Sequence, residues 1–184
     1  MAGEGEEVGN QEVRTEKSRD QKSRELEMTT SNTTDHEMYT TRNIPAKRER
    51  VFAAWTDPVI LARWWGPQGF TNTFHRFELQ TDGLWDFTMH SPNGIDFNNL
   101  CVFKRIEPPG YLEFDHLKEM HFYKAMVRFT GVEEGTRVDW IMRFDTAEEL
   151  APIKSFIAKA NEENMDKLEL ILNPVRAGNI PPRP

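Results

Sequence analysis

A single cysteine, Cys101, is all the thiol chemistry that the 184 residues carry. It cannot close an internal disulfide, and no CxxC pair is available for zinc or redox exchange. Long hydrophobic runs are missing too, and none approaches the roughly 20 residues needed to span a bilayer. With no charged-then-apolar leader, the expected location is the cytoplasm. Positive charge is scarce, 23 Lys and Arg against 30 Asp and Glu, which leaves a net charge of -7. A nucleic-acid partner needs a Lys/Arg-rich face that displaces counterions, so none is expected. The one basic cluster, Lys47, Arg48 and Arg50, reads as the solvated first turn of a helix. An acidic surface also repels anionic membranes. Phosphate loops, dinucleotide fingerprints and nucleophile elbows are absent, because Gly3, Gly5 and Gly9 follow no strand. His36, His75, His90, His116 and His121 show no metal-site spacing, so neither metal nor cofactor is expected.

What is present is unevenly spread. The hydrophobic fraction is 38%, low for a globular protein, and much of the deficit falls in residues 1–34. That segment has too little apolar surface to offset the entropy of ordering and reads as a disordered polar tail. Residues 35–173 form one expected domain, and 174–184 a proline-rich tail.

Within the domain, Tyr39 to Asn43 reads as a first strand. Pro45 then precedes a helix whose apolar face is Val51, Phe52 and Trp55. Asp57 followed by Pro58 repeats a helix-start signal; Ile60, Leu61, Trp64 and Trp65 continue helical spacing until Gly66 and Pro67. From Phe70 to Phe144 the period changes to two, punctuated at Asp82-Gly83, Pro92-Asn93-Gly94, Pro108-Pro109-Gly110 and Glu133-Glu134-Gly135. Strands are expected over Leu84–His90, Ile95–Ile106, Tyr111–Leu117, Phe122–Gly131 and Thr136–Phe144, with a less regular one over Phe70–Leu79. Each has a dry face; Glu113, Asp115 and Asp139 alternate with the apolar residues and are expected in solvent. After Asp145, Ile153, Phe156, Ile157, Ala160, Asn164, Met165, Leu168, Ile171 and Leu172 recur at helical spacing, and Pro174 ends the run. The fold class is therefore α+β: a curved antiparallel sheet of about six to seven strands wrapped on a long C-terminal helix, with two short helices after the first strand.

Three stretches carry a family likeness: VFAAWTDPVILARWWGPQGF from Val51, GLWDFTMHSPNG from Gly83 and RIEPPGYLEF from Arg105. Over His36 to Leu172 the chain resembles the domains homologous to the C-terminal part of the activator of the heat-shock-chaperone ATPase. That family lies within the superfamily of START lipid-transfer domains, polyketide cyclases and the birch-pollen allergen. The resemblance implies a helix-grip fold with a pocket between sheet and helix for an apolar or aromatic molecule. It implies no particular reaction. The chain departs from the family's pattern at Glu78 to Gly83, at Arg105, where a glutamate is common, and at Ala160-Asn161, where a Gly-Trp pair is usual.

Candidate cavity-lining residues are Trp64, Trp85, Phe87, Met89, Phe114, His116, Val127, Trp140, Met142, Phe156, Ala160 and Asn164. The aromatic and Met stripe among them serves equally as plain core. Of the Trp64-Trp65 pair, at least one ring is expected to pack the short helix onto the sheet. His116, on the dry face, could orient a ligand, act as a base or bond a neighbour. Cys101 reads as a buried inert thiol. The function expected first is non-catalytic binding of a small hydrophobic or aromatic molecule. The alternatives are a module that contacts a heat-shock chaperone, and a cyclase- or hydrolase-type enzyme in which His116, Glu78 and Arg105 would be the groups to try.

Overall fold

The computed structural model describes residues 34–118 and 121–173, without the side chains of Lys118 and His121. The polar and proline-rich tails expected at the two ends lie outside the described residues, save Thr34. The elements in chain order are β1 (Glu37–Ile44), α1 (Arg48–Thr56), α2 (Pro58–Leu61), β2 (Thr71–Phe77), β3 (Leu84–His90), β4 (Asp96–Glu107), β5 (Tyr111–Lys118), β6 (His121–Val132), β7 (Gly135–Phe144), α3 (Ala147–Leu150) and α4 (Lys154–Leu172).

All seven strands join one antiparallel sheet in the order β1-β7-β6-β5-β4-β3-β2. Strands β2 to β7 are a meander, which short turns permit. The exception is β1, which pairs with β7 at the opposite edge from β2. The chain between them must cross the whole sheet, and α1 and α2 are that crossing.

Period-two alternation becomes rows of side chains on one face. Trp85, Cys101, His116, Tyr123 and Phe144 stand opposite one another across five strands. A parallel row joins Leu112, Val127, Trp140 and Thr40. A bulge between Phe74 and Arg76 makes β2 the irregular strand expected.

Helix starts follow their caps. The Asp57 carboxylate accepts from Val59 N and Ile60 N at 2.8 and 3.2 Å, satisfying donors that a helix N-terminus leaves free. Helix α2 stops at Leu61, sooner than the spacing of Trp64 and Trp65 suggested. The chain continues in turns, and Trp64 Nε1 donates to Ala54 O at 2.9 Å. Helix α3 was not anticipated; Thr146 caps it by accepting from Glu149 N. The long helix has 19 residues, about 28 Å at 1.5 Å per residue.

Glu113, Asp115 and Asp139 correct an expectation. They lie on the sheet face away from the helix, yet side chains from neighbouring strands cover them. Asp139 is buried and accepts from the Tyr39 hydroxyl at 2.5 Å, Thr41 Oγ1 at 3.0 Å and Arg137 Nε at 2.9 Å. Glu113 takes the Tyr111 hydroxyl at 2.8 Å and Lys124 Nζ at 3.2 Å, and Lys124 Nζ stands 4.0 Å from Asp115. Alternation sets the face a residue points to, and the length of its neighbours sets how wet that face is.

Helix α4 is tied to β1 by Arg42, whose guanidinium meets Glu162 at 2.5 Å, Asp166 at 2.9 Å and Glu169 at 3.6 Å. Those carboxylates stand on one stripe of α4. Arg42→Ala is expected to lower stability by about 1 kcal/mol, since the pairs are partly solvated. Urea unfolding should show that loss, and it should shrink as salt rises.

Candidate functional site

The inner face of the sheet divides into a filled end and an empty end. At the filled end lie Phe103, Leu112, Phe114, Val127, Phe129 and Val138, all buried. They are covered by α1, by Trp64, and by Met165, Leu168 and Leu172 from the C-terminal half of α4. The chain's five tryptophans form one connected cluster here. Trp55 packs edge-on against Trp64, Trp65 and Trp140 at 4.8, 5.9 and 5.3 Å between centroids. Trp65 in turn meets Trp85 at 5.2 Å.

At the other end the layers do not meet, and a cavity of about 330 Å3 remains. The sheet contributes Met89, Phe97, Asn99, His116, Tyr123, Trp140, Met142 and Phe144. The N-terminal half of α4 and the residue before it supply Ile153, Phe156, Ile157, Ala160, Asn161 and Asn164. Trp65, Gly66, Pro67 and Phe70 close the side. Trp65 is the partition, because it touches Trp85, Phe114 and Trp140 and also lines the cavity. The cavity reaches the surface beside Phe97 and Phe156, which are 44% and 63% exposed.

The twelve candidate residues separate along this boundary. Met89, His116, Trp140, Met142, Phe156, Ala160 and Asn164 line the cavity. Trp64, Trp85, Phe87, Phe114 and Val127 are buried at the filled end and do not line it. Period two puts Trp85, Phe87 and Met89 on one face but does not say where along the strand the covering layer ends. Of the adjacent pair it is Trp65, and not the candidate Trp64, that stands on the wall. Sequence reasoning also passed over Asn99, Tyr123, Phe144 and Asn161 as wall residues. Their signal was available in part, since Tyr123 and Phe144 share the alternation of Ala125 and Met142.

The polar groups of the wall are few. His116 Nε2 lies 3.1 Å from Asn99 Oδ1, and its ring stacks on Tyr123 at 4.7 Å. Burial pushes the Tyr123 hydroxyl well above its ordinary pKa, so it stays neutral. Asn161 Nδ2 donates to Thr40 Oγ1 at 3.1 Å and reaches Met142 Sδ at 3.5 Å, so Asn161 ties α4 to β1 and β7. Cys101 stands next to His116 in the same row but does not line the cavity. Burial first, and then the Asp115 carboxylate, push its thiol upward, leaving it protonated and a poor nucleophile.

Neither Glu78 nor Arg105 lines the cavity. The Arg76 guanidinium and the Leu84 N–H hold the Glu78 carboxyl below its ordinary value. Arg105 pairs with Glu107 at 2.5 Å and lies over the Tyr111 ring. Among the described residues no group of three His, Cys, Asp or Glu side chains is placed to hold a metal ion. No helix among them is long and apolar enough to cross a membrane.

The corner beside the cavity is clamped to α4. Lys167 Nζ donates to Gly66 O and Pro67 O, and Gln68 N donates to Glu163 Oε2 at 2.8 Å. Gly66 has φ +99°, a conformation that L side chains rarely adopt, so the backbone of this corner calls for glycine.

Solved structures share this architecture. A protein from Arthrobacter aurescens is 25% identical over 79% of this chain and 92% of its own, with a TM-score of 0.71. The AHSA1-like protein from Aeromonas hydrophila is 22% identical over 80% and 97%, with a TM-score of 0.62. A protein from Nitrosomonas europaea at 16% identity covers 76% and 95%, with a TM-score of 0.70. No curated protein matches the chain in sequence. The model of the family "Activator of Hsp90 ATPase homolog 1-like protein" matches residues 45–173, a span running from just after β1 to the end of α4, and the chain belongs to that family.

Proposed function

We propose that this protein binds a small, largely apolar ring compound, without chemical change, in the cavity between the sheet and the N-terminal half of α4. One observation carries the reading: about 330 Å3 of space stays open inside a domain whose other half is a cluster of buried aromatic and aliphatic side chains. Interiors normally close to crystal-like density, and ligand sites run from about 300 Å3 upward. The wall supports binding over catalysis. No carboxylate, lysine or arginine is among the described residues lining it.

The test is occupancy. Naphthalene, a neutral two-ring probe, is expected to raise the thermal midpoint of the protein. At a hundredfold excess over its Kd the stabilisation should be about 2.7 kcal/mol. Ala160→Phe puts a ring into the same space, and its midpoint should no longer respond to the probe. Equal responses from both proteins would place the probe elsewhere and sink the reading.

Family membership favours a second reading, contact between this domain and the heat-shock chaperone. The same variant separates the two, because a surface contact survives Ala160→Phe whereas cavity binding does not.

A further inference from the structure

Six buried side-chain N or O atoms among the described residues have no hydrogen-bond partner, and two of them belong to the cavity wall: Trp140 Nε1 and Asn164 Oδ1. Trp140 is 1% exposed and Asn164 4%. The other four, on Trp55, Asn72, Trp85 and Asp115, belong to residues off the wall. A polar atom withdrawn from water without a partner is costly, and buried polar groups are nearly always paired. Both of these residues line the cavity described above.

Their chemistry is complementary. An indole N–H only donates, and an amide oxygen only accepts. Trp140 comes from β7 and Asn164 from α4, so a group satisfying both joins the sheet to the helix. A hydroxyl is the smallest neutral group that offers a donor and an acceptor together. A ketone offers only an acceptor. A carboxylate would enter a wall with no lysine or arginine among its described residues, and an ammonium would find no carboxylate there. Either ion would lose its hydration with no countercharge in return.

Resting on the binding reading above, we propose that the natural ligand is an uncharged ring compound carrying a hydroxyl, which Trp140 and Asn164 recognise. Size and apolar contact hold the rings, and these two residues select the head group.

The experiment compares naphthalene, 2-naphthol and 2-naphthoate by calorimetric titration of the full chain near neutral pH. The naphthol should bind about tenfold more tightly than naphthalene, roughly the gain of one well-made hydrogen bond. The naphthoate should bind more weakly than naphthalene. In Asn164→Leu the preference should vanish, with naphthol and naphthalene binding equally tightly. Should that variant fail to fold, Trp140→Phe removes the N–H, keeps a ring and makes the same comparison. Equal affinities for naphthol and naphthalene in the parent chain, or a naphthoate as tight as the naphthol, would overturn the head-group selection and leave the apolar cavity standing. Failure of naphthalene and naphthol alike overturns both.

Discussion

Trp55→Ala is expected to cost about 3–5 kcal/mol of folding stability, the range for deleting a buried large aromatic. Trp55 is 1% exposed and forms edge contacts with Trp64, Trp65, Phe129 and Trp140. Its Nε1 has no partner, so the loss is one of packing, not of a hydrogen bond. The hole would open where helix α1 meets the sheet, and the surrounding rings are too rigid to collapse into it. Urea unfolding monitored by circular dichroism would measure the change. Val59→Ala is the control: Val59 is exposed on neighbouring α2, and its loss should fall within about 0.5 kcal/mol of zero. A Trp55→Ala midpoint close to that of the control would mean that the tryptophan cluster does not hold the domain together.

Gly135→Ala is the second large effect, and it acts through the backbone. Gly135 opens β7 with φ +141°, a conformation that L side chains rarely adopt, and an added Cβ would stand 2.2 Å from Ile44 O and 2.9 Å from Pro45 Cα. The neighbours are main-chain atoms at the end of β1, so no rotamer change can relieve the contact. Conformational strain of about 1–3 kcal/mol and a comparable overpacking penalty give an expected loss of about 2–6 kcal/mol. The contrast lies four residues back, where Gly131 has nothing within 4 Å of an added Cβ. Gly131→Ala should be close to neutral in the same unfolding experiment. If the two variants unfolded together, the close approach of β7 to the end of β1 would not exist as described.

Much of this architecture was legible because its signals are local. The switch from period 3.6 to period two at Phe70, and back after Asp145, comes from which neighbours share a face. Asp57-Pro58 marks a helix start for reasons confined to a few residues, and the cap contacts of Asp57 are those that the pattern implies. The short α3 had its own local signal, Thr146 followed three residues later by Glu149, and was passed over. The candidate site was less legible. Trp64 and Trp65 are adjacent and chemically identical, yet one donates to Ala54 O in the core while the other divides core from cavity. Phe87 and Met89 likewise share a face and differ in what covers them.

Taken alone, then, the order of residues determined the strand faces, the long terminal helix, the family and the apolar character of whatever lies between sheet and helix. The tertiary structure decided where that interior fills and where it stays open. The filled end is set by aromatic rings arriving from α1 and the turn after α2, segments distant in sequence from the strands they cover. The cavity begins where those rings end, at Trp65. The head-group proposal rests on the same level, because an indole N–H on β7 and an amide oxygen on α4 lack partners only in the folded chain. Whether a polar atom finds a partner depends on distances between elements, and periodicity along one element carries no information about them.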